Sequence, residues 1–163
     1  MNRDLDPLAA VMQSVTNVLS TSFDGRYGDV DVRITHNETA FIVFAKTQVR
    51  AAGSMEVASR GSVLRYRSPL AVEPARTGDR IFDEVFRVRA SNPCAALTEL
   101  TVALRSCLVT LATKCGDVRI EDDYLRAVFP SATAAAGALD AFADVVRAMR
   151  DTPRTSDQQL VQE

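Results

Sequence analysis

The sequence contains few of the residues that build metal sites and disulfide frameworks. Its 163 residues include a single histidine, three cysteines and no tryptophan. Cys94, Cys107 and Cys115 are odd in number and none forms a CxxC pair, so their spacing favours neither a zinc signature nor a set of disulfides. We therefore predict no metal ion and no cofactor. Cys107 lies on the apolar side of a predicted helix, where a free thiol packs as a small hydrophobic residue.

Long hydrophobic runs are also missing. No uninterrupted apolar stretch approaches the roughly 18 residues that mark a candidate transmembrane helix. The N-terminal segment MNRDLDPLAA lacks the apolar centre of a signal peptide. The sequence therefore predicts no membrane span and a soluble, cytoplasmic protein.

Lysine is scarce, because Lys46 and Lys114 are the only lysines among 19 basic residues. The chain has 21 acidic residues and a formal net charge of −2, which argues against a nucleic-acid-binding protein, whose binding domain is normally basic. Arginine supplies the rest of the positive charge. Its planar fork fits carboxylate and phosphate groups, although a GC-rich genome would also favour arginine codons.

Length and periodicity together predict the fold. The length fits one domain, for which we predict residues 1–150, followed by a polar, flexible tail at 151–163. Periodicity predicts the order α-β-β-β-β-α-β-β-α, which indicates an α+β fold with helices on one face of a single antiparallel sheet of about six strands. The predicted helices are 5–19, 92–115 and 130–150, the predicted strands are 30–36, 39–47, 62–68, 84–90 and a hairpin at 117–129, and the segments 22–29, 50–61 and 69–79 are predicted to be turns or loops.

The first predicted hairpin contains the clearest strand signals. Val30, Val32 and Ile34 alternate with polar residues, as in a strand with one buried face. The run from Phe41 to Phe44 is apolar throughout, which indicates a central strand covered on both faces.

Candidate catalytic groups are few. No nucleophile-elbow, zinc-protease, P-loop or dinucleotide motif is present. The single histidine, His36, ends a predicted strand on the apolar side, where a structural role is more typical. Asp79 and Asp83, on either side of Phe82, are the best carboxylate pair and leave open a metal-dependent enzyme, although Gly78 and Asp79 are also typical of a turn.

The arginines form the most informative pattern. Six of them fall on the outward side of predicted strands: Arg33, Arg65, Arg67, Arg87, Arg89 and Arg119. One interpretation is a binding surface for an anionic partner, such as an acidic protein segment, a phosphorylated partner or a lipid headgroup. The other is a solvated sheet face on which Asp29, Asp31 and Glu121 cancel the charge. No aromatic residue is expected on that side, so the stacking that single-stranded nucleic acid needs is missing.

Two resemblances accompany this pattern. Thr77, Gly78, Asp79, Phe82, Asp83, Phe86 and Val88 form a TGD..FD..F.V motif, followed by a leucine-rich helix and a hairpin. The C-terminal half of the chain, which carries this motif, resembles a bacterial family of unknown function. That resemblance implies no activity. The element order resembles that of type III secretion chaperones, which implies a small acidic dimer that binds an extended client, although the strand at 84–90 and the crossing at 69–80 depart from that pattern.

Taken together, these features predict a non-enzymatic protein-interaction module. It would bind an acidic partner, or self-associate as a homodimer, through its sheet. A secretion-chaperone-like dimer holding an extended client, and a metal-dependent enzyme using Asp79 and Asp83, remain as alternatives.

Overall fold

The protein is an α+β fold in which one antiparallel sheet is packed against helices. The computed structural model describes residues 20–37, 39–47, 55–60, 73–121 and 124–152. The strands in these residues are β1 (Ser20–Tyr27), β2 (Val30–Asn37), β3 (Phe41–Lys46), β4 (Met55–Ser59), β5 (Glu73–Ala75), β6 (Phe86–Ala90), β7 (Asp117–Glu121) and β8 (Tyr124–Phe129). The helices are α1 (Arg80–Val85), α2 (Pro93–Glu99), α3 (Val102–Ala112) and α4 (Ala132–Arg150).

All strands described belong to a single sheet. Their order is β1-β2-β3-β8-β7-β4-β6-β5, and every neighbouring pair is antiparallel. The predicted α+β fold with a single antiparallel sheet is therefore confirmed. The sheet has eight strands within the described residues, more than the six or so expected.

The additional strands lie in segments for which the sequence predicts turns or loops. Strand β1 replaces the predicted break at 22–29, because Gly25 is accommodated inside an edge strand and the reversal occurs at Gly28 and Asp29 instead. Strand β4 is only five residues long, which is too short for a clear alternation of side chains. The glycine and serine that precede it make the segment resemble a loop in the sequence. Strand β5 contains Pro74, which a strand tolerates at a sheet edge.

Some predictions fall outside the described residues. These are the helix at 5–19, the strand at 62–68 with Arg65 and Arg67, and nearly all of the tail at 151–163.

The predicted strand at 84–90 is shorter than expected, because its first residues belong to helix α1. Asp79 caps α1 by accepting a hydrogen bond from the backbone N–H of Phe82. Strand β6 then begins at Phe86, and the Phe82 and Phe86 rings stack at 4.9 Å between centroids. The segment is a capped helical turn leading directly into a strand.

The long predicted helix at 92–115 is two helices that meet at an angle of 79°. Asn92 caps α2 and Pro93 occupies its first turn. The break follows at Leu100, and Thr101 caps α3 by accepting a hydrogen bond from the N–H of Leu104. A second capping residue inside a continuous apolar pattern thus divides the helix.

No single described helix is long and apolar enough to cross a membrane, although the bent pair α2 and α3 meets that criterion by length and composition.

The core lies between the helices and one face of the sheet. Along each strand, the side chains that point to this face are buried in the core. Examples without exposed surface are Ile34, Val43, Val57, Ile120 and Leu125. Helix α4 contributes nine buried residues, among them the large side chains Leu139, Phe142, Val146 and Met149. Its last turn also holds the β1–β2 turn, since Arg147 and Arg150 donate hydrogen bonds to the Asp29 carboxylate.

The β1–β2 turn should depend on glycine at position 28, which has a φ of +58°. A side chain in this left-handed conformation is strained, and a Cβ would lie 3.2 Å from Nη2 of Arg147. We expect Gly28→Ala to lower the free energy of unfolding by about 1 kcal/mol in urea denaturation. Gly137, in the middle of α4, is the matched control, because a Cβ there meets nothing within 4 Å. Gly137→Ala should raise stability by about 0.5–1 kcal/mol. Equal effects of the same sign would contradict this assignment.

Candidate functional site

The sheet face turned away from the helices carries most of the strand charges, and we call it the outer face. The strand register places the following residues on it: Asp24, Arg26, Asp31, Arg33, Thr35, Ile42, Phe44, Lys46, Glu56, Ala58, Arg87, Arg89, Asp117, Arg119, Glu121, Tyr124, Arg126 and Val128. Side chains opposite one another in an antiparallel pair lie on the same face, so the register alone fixes this set.

The four predicted arginines in the described residues share the outer face. Arg33 lies on β2, Arg119 on the central strand β7, and Arg87 and Arg89 on β6. Arg126 on β8 joins them directly opposite Arg119. Sequence reasoning misses Arg126 because the apolar residues of the second hairpin dominate its pattern. That these arginines bind an anionic partner stays a prediction.

Carboxylates interleave with several of these arginines. Arg33 Nε lies 2.7 Å from Asp24 Oδ1, and this hydrogen bond lowers the pKa of Asp24 below its usual value. Arg126 Nη2 lies 3.3 Å from Asp117 Oδ2. Much of the positive charge is therefore compensated within the chain, as the solvated-face interpretation anticipates. Of the acids that it names, Asp31 contacts Arg26 and Glu121 contacts Arg119, and Asp24 and Asp117 add to them.

A buried ion pair lies at the centre of the outer face. Arg119 Nη2 is 3.3 Å from Glu56 Oε1, and their side chains are only 6% and 7% exposed. Glu121 lies opposite Glu56 and contacts Arg119 at 3.8 Å. Burial raises the pKa of Glu56, while Arg119 opposes that rise and Glu121 adds to it. Such a pair is costly to desolvate, and removing Glu56 would leave the buried Arg119 charge without its nearest carboxylate, although Glu121 lies 3.8 Å away.

A groove of about 1000 Å³ runs over the outer face beside this pair. Arg33 and Arg119 line it, whereas Arg87 and Arg89 do not. Its charged and aromatic lining residues are Asp24, Asp31, Arg33, Phe44, Lys46, Arg119, Glu121, Tyr124 and Arg126. The groove is thus amphipathic, with charges of both signs around two aromatic rings.

The expectation that no aromatic residue accompanies the arginines is wrong. Phe44 lies between Arg33 and Arg126 in the cross-strand register, and Tyr124 is 49% exposed beside Lys46. Phe44 is hard to assign from the sequence because its strand is apolar on both faces. Tyr124 is hard to assign because it begins a strand next to a predicted turn.

Asp79 and Asp83 have well-defined structural partners. Asp79 accepts a hydrogen bond from the backbone N–H of Phe82 through Oδ1. It accepts another from Arg105 Nε through Oδ2. Asp83 accepts from the N–H and hydroxyl of Thr77 through Oδ1, and from Gly78 N–H through Oδ2. All four carboxylate oxygens therefore hold the loop before α1 in place. Within the described ranges, no group of three or more His, Cys, Asp or Glu side chains is placed to hold a metal ion.

The other candidate groups lie in packed surroundings. The His36 ring is stacked on Phe41 at 4.2 Å and is 8% exposed. Burial raises the pKa of the Cys115 thiol to about 12 and also raises that of Cys107. Because the thiolate is the reactive form, a raised pKa makes both thiols less reactive near neutral pH than a free cysteine. Cys94 is exposed.

Comparison with known proteins identifies a similar fold. No protein-family model matches the chain, and no curated protein matches it. The crystal structure of the mycobacterial trehalose monomycolate transport factor A, TtfA, is similar, with a TM-score of 0.59 over 89% of this chain and 80% of that one. The sequence identity is 15%, so the likeness concerns the fold alone.

The buried Glu56–Arg119 pair should behave as a unit. We expect Glu56→Ala to lower the free energy of unfolding by about 3–5 kcal/mol, because Arg119 would keep a buried charge. The double variant Glu56→Leu with Arg119→Met should be closer to wild type than Glu56→Ala, since no buried charge remains. Urea denaturation of Glu56→Leu, Arg119→Met and the double variant measures the coupling. Additive losses would show that the two residues act independently.

Asp83 should make stability depend on pH. Burial raises the pKa of Asp83, but the hydrogen bonds from Thr77 and Gly78 outweigh it, so the net pKa is lowered. Its contribution is therefore complete above the unfolded-state pKa near 3.9 and is lost as pH falls through the lower folded-state value. We expect Asp83→Asn to cost about 1 kcal/mol at neutral pH. The difference from wild type should shrink as pH falls below about 4. A difference that stays constant down to that range would contradict this role.

Proposed function

We propose that the protein is a non-enzymatic interaction module that binds a protein partner in the groove on its outer face. The observation that carries this proposal is the groove itself, which combines an exposed aromatic ring with cationic side chains. Tyrosine and arginine are the residues that most often anchor protein interfaces. The partner that fits is an acidic segment that also carries apolar side chains.

Lys46 and Tyr124 are the best-placed contacts for such a segment. They lie opposite each other on β3 and β8. Both are exposed, and among the described residues no carboxylate lies within ion-pair distance of Lys46. An acidic side chain of the partner would supply that carboxylate, while an apolar side chain would cover the Tyr124 ring.

The arginines that the sequence predicts to bind a partner contribute to the proposed site in different ways. Arg33 and Arg119 line the groove but already contact Asp24 and Glu56. Through these contacts they hold neighbouring side chains in place and keep positive and negative groups next to each other on the surface. Arg87 and Arg89 extend the positive charge beyond the groove on β6, and the contribution expected of Arg65 and Arg67 remains a prediction from the sequence.

The fold likeness supports a binding role. TtfA is described as a transport factor, and a protein of this fold therefore takes part in transport. Fold alone does not determine function, and the groove therefore remains the main support for a binding role.

A secretion-chaperone-like dimer that holds an extended client is the second candidate. Strand β1 favours it, since it lies at the edge of the described sheet and an edge strand can pair with an extended segment. The metal-dependent enzyme has less support, because the oxygens of Asp79 and Asp83 are all used as acceptors.

Capture experiments with paired variants test the groove. Wild type and Lys46→Ser/Tyr124→Ser would be immobilised and exposed to extracts of the native cells, with bound proteins quantified by mass spectrometry. We expect the groove variant to lose the specific partner, and its affinity for the purified partner to fall about tenfold or more. Added salt should weaken the wild-type complex, because exposed charges are screened.

Arg80→Ser/Ile81→Ser is the matched control. It also removes one cation and one exposed apolar side chain, but from α1, where Arg80 is exposed and Ile81 is 66% exposed. This variant should capture the same partner as wild type. Retention of the partner by the groove variant, or its loss from the control alone, would overturn the proposal.

A further inference from the structure

The two edges of the described sheet are protected very differently. Strand β5, at one edge, has three residues and contains Pro74. Short edge strands and edge prolines prevent pairing with other chains. Strand β1, at the other edge, has eight residues and contains neither proline nor lysine. Within the part of the chain that the structure describes, β1 pairs with β2 on one side, so its other side is a template for a further strand.

The β1–β2 hairpin determines which backbone groups point to that edge. Tyr27 and Val30 are opposite each other across a two-residue turn, and such a turn closes on a hydrogen-bonded pair. Alternation from Tyr27 directs the N–H and C=O groups of Phe23 and Gly25 toward β2. Those of Ser22, Asp24 and Arg26 therefore point to the edge, where a second strand would bind.

The side chains of β1 are complementary to a second copy of themselves. Asp24 and Arg26 lie two residues apart on the outer face, and their side chains are 72% and 69% exposed. A two-fold axis at Asp24 would oppose two aspartates, and an axis at Arg26 would oppose two arginines. An axis at Gly25 places Asp24 of each copy opposite Arg26 of the other. Opposite charges in this position stabilise a strand pair, whereas like charges destabilise it.

We propose that the protein forms a two-fold symmetric homodimer by antiparallel pairing of β1 with β1 of a second copy, centred on Gly25. In this register the charges alternate across both copies. Arg33 lies beside Asp24 in one copy, and Arg26 lies beside Asp31 in the other. Arg33, Asp24, Arg26 and Asp31 then form one row of alternating sign across the interface. On the inner face, Phe23 of each copy lies opposite Tyr27 of the other. The interface does not depend on the proposed function of the groove.

Charge reversal at β1 tests the register. We expect Asp24→Arg, and separately Arg26→Asp, to weaken dimerisation about tenfold or more, since each places two like-charge pairs at the interface. The double reversal Asp24→Arg/Arg26→Asp restores both intermolecular pairs and should recover dimerisation. Within one chain, the same double reversal places the new arginine beside Arg33 and the new aspartate beside Asp31. If only the intramolecular pairs mattered, the double variant would therefore be the weakest. Sedimentation velocity over a concentration series measures the dimer, and circular dichroism verifies folding.

Disulfide trapping gives an independent measurement of the same register. The proposed axis places the two Gly25 residues opposite each other as a non-hydrogen-bonded pair, whose Cα atoms lie about 4.5 Å apart. This separation is within the range that a disulfide spans. In a Cys94→Ser background, Gly25→Cys should crosslink rapidly under mild oxidation. Ser22→Cys is the control on the same strand, since its two copies would lie roughly 20 Å apart.

The proposal is overturned by a wild type that stays monomeric throughout the concentration series. It is also overturned by a double reversal that fails to recover the dimer, or by equal crosslinking of the Gly25→Cys and Ser22→Cys variants. Loss of partner capture by the groove variant would have no bearing on it, because that variant leaves β1 unchanged.

Discussion

The alternation of side chains along a continuous antiparallel sheet constrains every other feature of this protein. Because successive residues of a strand point to opposite faces, a slip of one residue would move buried side chains to solvent. In β2, such a slip would expose Ile34 and bury Arg33 against α4. The same register that packs the core therefore determines which charges share the outer face. The buried core and the charge pattern of the outer face are two consequences of one set of strand pairings.

The Glu56–Arg119 pair strengthens this constraint at the centre of the sheet. Both side chains are almost fully buried on the outer face of the adjacent strands β4 and β7. A shift of either strand by one residue would direct one of the charges into the apolar core, where a charge without a partner is strongly unfavourable. The pair contributes little net stability by itself, since desolvation offsets its attraction. We infer that it penalises incorrect strand registers, much as buried polar residues do in coiled coils.

The sequence predicts those parts of the fold in which one periodicity persists over enough residues. The β2–β3 hairpin and helix α4 are examples, because their apolar residues recur without interruption. Strands β1 and β4 are not predictable in this way. The glycine and charged residues of β1 resemble a turn, and only tertiary pairing with β2 makes them a strand. The break between α2 and α3 escapes prediction for a related reason: Thr101 within a leucine-rich run gives a weak local signal, although it caps a new helix.

The candidate site is predictable in part for the same reasons. The alternation of side chains along each predicted strand correctly places Arg33, Arg87, Arg89 and Arg119 on one face. It can do so because alternation is a local property of each strand. It cannot place Tyr124 beside Lys46, because that pairing depends on strand order, whereas Arg126 lies opposite Arg119 within the second hairpin. Nor can it distinguish arginines that are already paired from cations that remain available. That distinction requires the distances to Asp24, Glu56 and Asp117.

The groove and the β1 edge are physically connected, because Ser22, Asp24 and Gly25 line the end of the groove nearest β1. Pairing two β1 strands would therefore place two grooves end to end on one continuous outer face. A partner long enough to reach both would bind the second groove as an intramolecular step, at a high effective concentration. Weak contacts at Lys46 and Tyr124 would then suffice for a specific complex. The proposed dimerisation through an edge and the proposed binding on a face would therefore reinforce each other, with Asp24 and Gly25 shared between them.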